Sequence, residues 1–231
     1  MNRTSPVHRL GELTQDQWGL VTRRQLEDAG FASTTIERLT APGGVLERVS
    51  WGVYQLAGAP VPEHRDLRAA WLQLAPHLRA WERTPNEGVV SHRSAAALYG
   101  LGHLPADQHE FTVPVRRQTR NPDVRIHVRR LHEGEWATLS GILLTKPPRI
   151  ASDLIRSRED PEAVAQIVAD ALRRRHAPPG DFATALAQNA MAQGFRRGDG
   201  TAFLQWLLDL AGDPDSGKWI SQARTKDGVV S

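Results

Sequence analysis

GLVTRRQLEDAGFASTTIERLTAPGGVLERVSWGVYQL, residues 19–56, carries the densest local signal in this chain. Leu20 and Val21 are a β-prone pair, and Thr22 is a good N-cap because its hydroxyl accepts from an amide two or three residues on. Residues 23–29 read as a helix anchored by Leu26, and Gly30 suits the left-handed turn that closes such a helix. Phe31 is placed to plug the core. Ser33 or Thr34 is expected to cap a second helix, with Thr34 and Glu37 at capping-box spacing. Ile36 and Leu39 face inward, which leaves Ser33, Thr34, Thr35, Glu37 and Arg38 on the open face. Pro42-Gly43-Gly44 stops that helix. Residues 45–49 and 52–56 are β-rich runs around Ser50-Trp51, a hairpin-length gap.

Two short helices, a Gly-containing turn and a following hairpin come in the order of a winged helix-turn-helix. That motif puts one helix in a DNA major groove and a β-tongue beside it. The expected fold class is therefore α+β, with a winged helix in residues 1–60 and a mixed α/β domain in 61–231. In the DNA-binding set, the 33–40 helix reads base edges with Ser33, Thr34, Thr35 and Glu37. Arg23, Arg38 and Arg48 hold phosphates, and Ser50 and Trp51 form the tip of the wing. An exposed Trp51 would insert or stack on DNA; the alternative, taken as the expectation, folds it back over the core.

The rest of the composition is that of an ordinary globular protein. The chain has 231 residues, 40% hydrophobic and 24% charged, which is room for one large or two modest domains. No apolar run approaches the ~20 residues of a membrane span, and the opening MNRTSPVHRLGELTQDQ lacks the apolar stretch of a signal peptide. Without cysteine there is no disulfide, thiolate nucleophile or zinc–thiolate site. A soluble, cytoplasmic protein is expected, without membrane contact. Net charge is only +3, and Arg balances the acids in residues 1–60, so non-specific phosphate affinity should be modest.

Beyond residue 60, residues 63–81 have helical spacing that Pro76 bends or ends. Val89-Val90 is a short β entry to Ser91, a candidate N-cap for a helix over 95–101. Residues 111–113 and 124–128 alternate like half-buried strands with an Arg-rich connection, the pattern of a hairpin. Residues 138–144 make one more strand candidate. Helices are expected over 149–155, 161–175, 181–191 and 201–210, with a loose polar tail after about residue 212.

The 19–56 block, together with VVSHRSAAALYGL at 89–101 and LLTKPPRIASDLI at 143–155, resembles the AbiEi family of antitoxins from type IV toxin–antitoxin systems. The resemblance covers most of residues 7 to about 175 and rests on the ordered set rather than on one motif. It implies a winged helix that represses its own operon and a C-terminal domain that neutralises a partner nucleotidyltransferase toxin. Carried over by position, residues 22–29 are the supporting helix, 33–40 the recognition helix and 45–56 the wing. Relatives often have basic residues at the wing tip, whereas this chain has Ser50-Trp51. The expected partners are double-stranded operator DNA, bound as two copies on inverted repeats whether or not dimeric off DNA, and the toxin.

Arg116, Arg117, Arg120, Arg125, Arg129 and Arg130 face only Asp123 in sequence. Such charges repel on adjacent strands without an anionic partner, so this run is read as a partner or nucleic-acid surface. Enzymatic readings are weaker. Ser91 and His92 diverge if they lie on one helix, and so make no nucleophile–base pair. The nine histidines lack a His-Glu-x-x-His pattern. Glu133 and Glu135 near Lys146 would suit a metal-dependent nuclease, but no further acidic, strand-rich block follows. No catalytic site, metal or cofactor is expected. The remaining alternative is a stand-alone regulator with a ligand-sensing second domain.

Overall fold

Thr22 sets where the first helical pair begins. Its hydroxyl accepts from Gln25 N at 3.0 Å, while Gln25 Oε1 takes the Thr22 N–H at 3.0 Å, a closed capping box. The computed structural model describes residues 6–227. Its first elements are α1 (Pro6–Thr14), β1 (Leu20–Thr22), α2 (Arg23–Asp28), α3 (Ser33–Leu39), β2 (Leu46–Ser50) and β3 (Val53–Leu56). The strands make an antiparallel sheet of order β1-β3-β2. Leu10, Leu13, Val21, Leu26, Phe31, Ile36, Leu46 and Tyr54 fill one core beneath it. Gly30, at φ +81°, makes the turn between α2 and α3, as its missing Cβ permits.

One expectation here needs correction. The Thr34–Glu37 capping box does not form: α3 starts at Ser33 with Ala32 as its N-cap and no side-chain cap, so Thr34 already lies inside the first turn. Ahead of the 19–56 block, α1 supplies buried Leu10 and Leu13, three residues apart on one helix face.

The larger part contains α4 (Arg65–Leu74), β4 (Val89–Val90), α5 (His92–Tyr99), β5 (His109–Val113), β6 (Val124–Val128), β7 (Trp136–Leu139), β8 (Ile142–Thr145), and then α6 (Pro147–Arg156), α7 (Pro161–Arg173), α8 (Pro179–Ala187), α9 (Gly200–Leu210) and α10 (Ser216–Asp227). The chain is thus mixed α and β. A five-stranded sheet runs β6-β5-β4-β8-β7. β4 pairs with β8 in parallel, and β5 with β6.

The parallel β5–β6 pair overturns the hairpin expectation. A tight turn forces antiparallel strands, but residues 114–123 are long enough to carry the chain back along the strand. The single strand expected over 138–144 is instead a hairpin, β7–β8. It turns at Ser140 and Gly141, both at positive φ (48° and 79°), as a two-residue loop that matches strand twist requires. The Ser140 carbonyl accepts from Trp18 Nε1 at 2.9 Å and from Arg68 Nη1 at 3.1 Å.

α4 stops before Pro76, as read. Its Trp71 is fully buried, with Nε1 donating to Gly88 O at 2.8 Å. Buried Arg83 closes its C-terminal end by donating to the carbonyls of Trp71, Leu72 and Ala75; burial draws its pKa down to about 9. The larger core takes in Leu20 and Val53 as well, so the two sheets share apolar packing. A second tie is polar. Gln17 and Gln25 are buried and exchange hydrogen bonds at 2.9 and 3.0 Å; Gln25 Nε2 also donates to Leu78 O, and Gln17 Oε1 accepts from Ala80 N. Among the described residues no helix is long and apolar enough to cross a membrane.

The tail after residue 212 is not loose through its described part. α10 buries Ile220 and Ala223 beside α8 and α9, and residues 228–231 lie outside the description. The polar composition hid a helix whose few apolar positions all point inward. Ile220→Asp should therefore lower stability by about 3 kcal/mol or more, because it places a charge in that interface. Chemical denaturation measures this, and a change under about 0.5 kcal/mol would show that α10 is not docked.

Candidate nucleic-acid interface

α3 turns one apolar side inward and leaves the other open. Ile36 is buried and Leu39 packs on the small core. Ser33, Thr34, Glu37 and Arg38 are exposed and Thr35 is half-buried. None of these five side chains has a hydrogen bond or ion pair among the described residues. Their donors and acceptors are therefore available to an incoming ligand.

The hairpin tip presents Trp51, 81% exposed, which corrects the expectation that it folds back. The physical cause is local. A bulge between Arg48 and Ser50 and positive φ at Gly52 (68°) rotate the turn outward. Gln73 of α4 fixes it there, with Nε2 donating to Ser50 Oγ at 3.0 Å and Trp51 O at 2.7 Å. The core below is already filled by Val53 and Tyr54, so it has no vacancy for the indole. The Arg48 guanidinium lies over the ring, 5.0 Å from its centroid.

α2 begins at the same end, because Arg23 N donates to Gly52 O at 2.8 Å. Arg23 pairs with Glu27 at 3.0 Å and Arg24 with Asp28 at 3.1 Å. Between this corner and the 114–123 loop lies a cleft of about 890 Å³, lined among others by Arg23, Arg24, Trp51, Gln118 and Arg120. The structure thus divides the residues selected from sequence. Arg23, Ser50 and Trp51 line the cleft together with Arg120, while the α3 residues form a separate face outside it.

The arginine run also separates into different environments. Arg116 and Arg120 are exposed. Arg117 instead donates to Leu74 O at 2.9 Å, Asn86 O at 3.0 Å and Glu87 O at 3.3 Å, which pins the loop against the end of α4. Arg125 lies 3.9 Å from Glu110, a buried carboxylate that its sequence neighbours did not reveal. Arg129 and Arg130 rim a hollow of about 360 Å³ floored by Pro85, Pro114, Val115 and Leu131.

Ser91 and His92 are in contact, contrary to the reading that their side chains diverge. They do not share a helix: Ser91 is extended (φ −145°) and His92 sits at φ +53°, so the pair spans the corner between β4 and α5. Ser91 Oγ and His92 Nδ1 are 2.9 Å apart. Ser91 makes no cap bond; Glu110 Oε2 accepts from Arg93 N at 2.9 Å and takes that role. The His92 ring stacks on His127 at 3.6 Å, and His127 Nε2 meets Glu110 Oε1 at 3.1 Å. Burial, and then the neighbouring His127, push the His92 pKa down to about 3. Burial works against the Glu110 carboxylate, but the His127 hydrogen bond, His92 and the Arg93 amide hold it below its ordinary value. The other acidic candidates are engaged or apart: Glu135 takes Arg149 Nη1 at 2.8 Å, and Glu133 is exposed on the same short turn.

His92 is neutral when folded but titrates near 6.5 when unfolded. Its contribution to stability is complete above pH 6.5 and is lost as pH falls from there towards 3; Glu110 adds a loss of the same sign below about 4.5. Replacing His92 with Gln should flatten stability against pH between 6 and 4 by about 1 kcal/mol per pH unit. Denaturant titrations at a series of pH values measure the slope, and an unchanged slope would show that His92 stays protonated in the fold. No protein-family model matches this chain, and no curated protein matches it.

Proposed function

We propose that the chain binds duplex DNA through a winged helix-turn-helix made of α2, α3 and the β2–β3 hairpin. The observation that carries this reading is the unengaged polar face of α3, in a chain whose hairpin tip is exposed as well. A helix free of internal partners on one side meets the geometric need of major-groove readout. Ser33, Thr34, Thr35 and Glu37 meet base edges, and Arg38 and Arg48 meet phosphates. Trp51 lies at the wing, where a flat ring packs against the minor groove wall. Arg23, Arg24 and Arg120 gather along the neighbouring cleft, so the 114–123 loop extends the footprint. This compensates for the charge balance of residues 1–60.

The resemblance to AbiEi antitoxins supplies the biological setting of the proposal. Two copies on an inverted repeat occlude the chain's own promoter, and the second half of the chain counteracts a nucleotidyltransferase toxin. Co-expression with such a toxin encoded beside it tests the second activity, with restored growth as the expected result.

Fluorescence anisotropy on DNA from upstream of the chain's own gene, at several salt concentrations, tests the first activity. Thr35→Ala or Arg38→Ala should cost about 1–3 kcal/mol of specific binding. Arg120→Ala should weaken all sequences alike and reduce the salt slope by about one. Equal affinity for the upstream duplex and a scrambled one would overturn the reading.

A further inference from the structure

β6 is an edge of the five-stranded sheet, and its orientation there can be derived. His109 N donates to Asp123 O, and Arg129 N donates to Val113 O. In this parallel register the odd-numbered residues of β6 bond to β5. The N–H and C=O groups of Ile126 and Val128 therefore point away from the sheet, with no strand beyond them among the described residues. Side chains alternate across the same strand. Arg125 and Arg129 emerge on one face, Ile126 and the half-exposed Val128 on the other. Just past the strand end, Arg129 and Arg130 rim a hollow whose other lining is Pro85, Asn86, Pro114, Val115 and Leu131.

We infer that this edge captures an extended segment of a partner protein in which acidic and apolar residues alternate, added to the sheet as a sixth strand. Its backbone would satisfy Ile126 and Val128. Its acidic side chains would meet Arg125 and Arg129, and its apolar ones Val128 and the hollow. Charge decides among the occupants. Two β6 edges paired about a twofold axis would bring Arg125, Arg129 and Arg130 of both copies together, and like charges on adjacent strands repel. Arg129 and Arg130 have no carboxylate within ion-pair distance among the described residues, and Arg125 has only the 3.9 Å contact to Glu110. The same arginines that keep copies apart therefore attract an acidic strand. This surface is distinct from the α3 face, and its capture of peptide does not depend on DNA binding.

The test uses the full chain and a short fluorescein-labelled peptide alternating Glu and Val. Anisotropy should show saturable binding, and hydrogen exchange should slow at the Ile126 and Val128 amides. Val128→Pro removes only an outward N–H and leaves the β5 ladder intact, so it should abolish binding while the circular dichroism spectrum stays unchanged. Arg125→Ala with Arg129→Ala should weaken binding by about tenfold or more. Methylating alternate peptide nitrogens should have the same effect as the proline. If Val128→Pro misfolds, the methylated peptide and the exchange pattern carry the test. The inference is overturned if no peptide binds, if the methylated peptide binds equally, or if the exchange rates do not move. Concentration-dependent dimerisation lost in Val128→Pro would equally overturn it, in favour of a second copy.

Discussion

Two buried amide side chains position the corner made by α2, α3 and the β2–β3 hairpin. Gln17 and Gln25 sit where neither can reach water, so each of their donors and acceptors must be met within the protein. Gln25 starts α2 by bonding Thr22 N, and the same side chain reaches Leu78 in the segment that follows α4. The register of α2 is thus tied to the larger sheet, and with it the turn at Gly30, the aspect of α3 and the corner where Arg23 meets the hairpin. A hydrophobic pair of similar size would fill the volume but would leave several backbone groups without partners.

Features encoded over a few neighbouring residues were legible. Thr22, Leu26, Gly30, Phe31 and Ile36 each act on groups close by in sequence, and each takes the place that its chemistry suggested. α7 was equally plain, because its apolar stripe is long and regular. What escaped depends on residues far apart. Nothing near residues 124–128 says that the strand lies parallel to β5. Nothing near Trp51 announces that Gln73 will hold the turn outward. Ser91 and His92 came together because a strand ends between them and a helix begins, and spacing does not encode that corner. The helix over 216–227 was missed for the opposite reason: its polar residues outnumber the few that dock.

Arginine has several distinct roles in this chain. Arg83 closes a helix end in the interior, Arg117 staples a loop through carbonyls, and Arg149 joins Glu135 and Asp153. Arg116, Arg120, Arg129 and Arg130 remain open to solvent. A planar fork of donors serves all these roles, whereas lysine would serve few of them. The cationic run that looks uniform in sequence is therefore part scaffold and part free charge, and only the second part can greet an anion.

One carbonyl, that of Ser140, accepts from Trp18 and from Arg68 at once. The tip of the β7–β8 hairpin is thereby bolted to the link before β1 and to α4, and a Cβ on neighbouring Gly141 would come within 3.2 Å of the Trp18 ring. These clamps, the apolar packing shared between the sheets and the glutamine pair tie the two parts of the molecule together at several points. The corner that carries Arg23 and Trp51 on one side of the cleft is thereby set at folding, and a ligand entering there would pay little to order it.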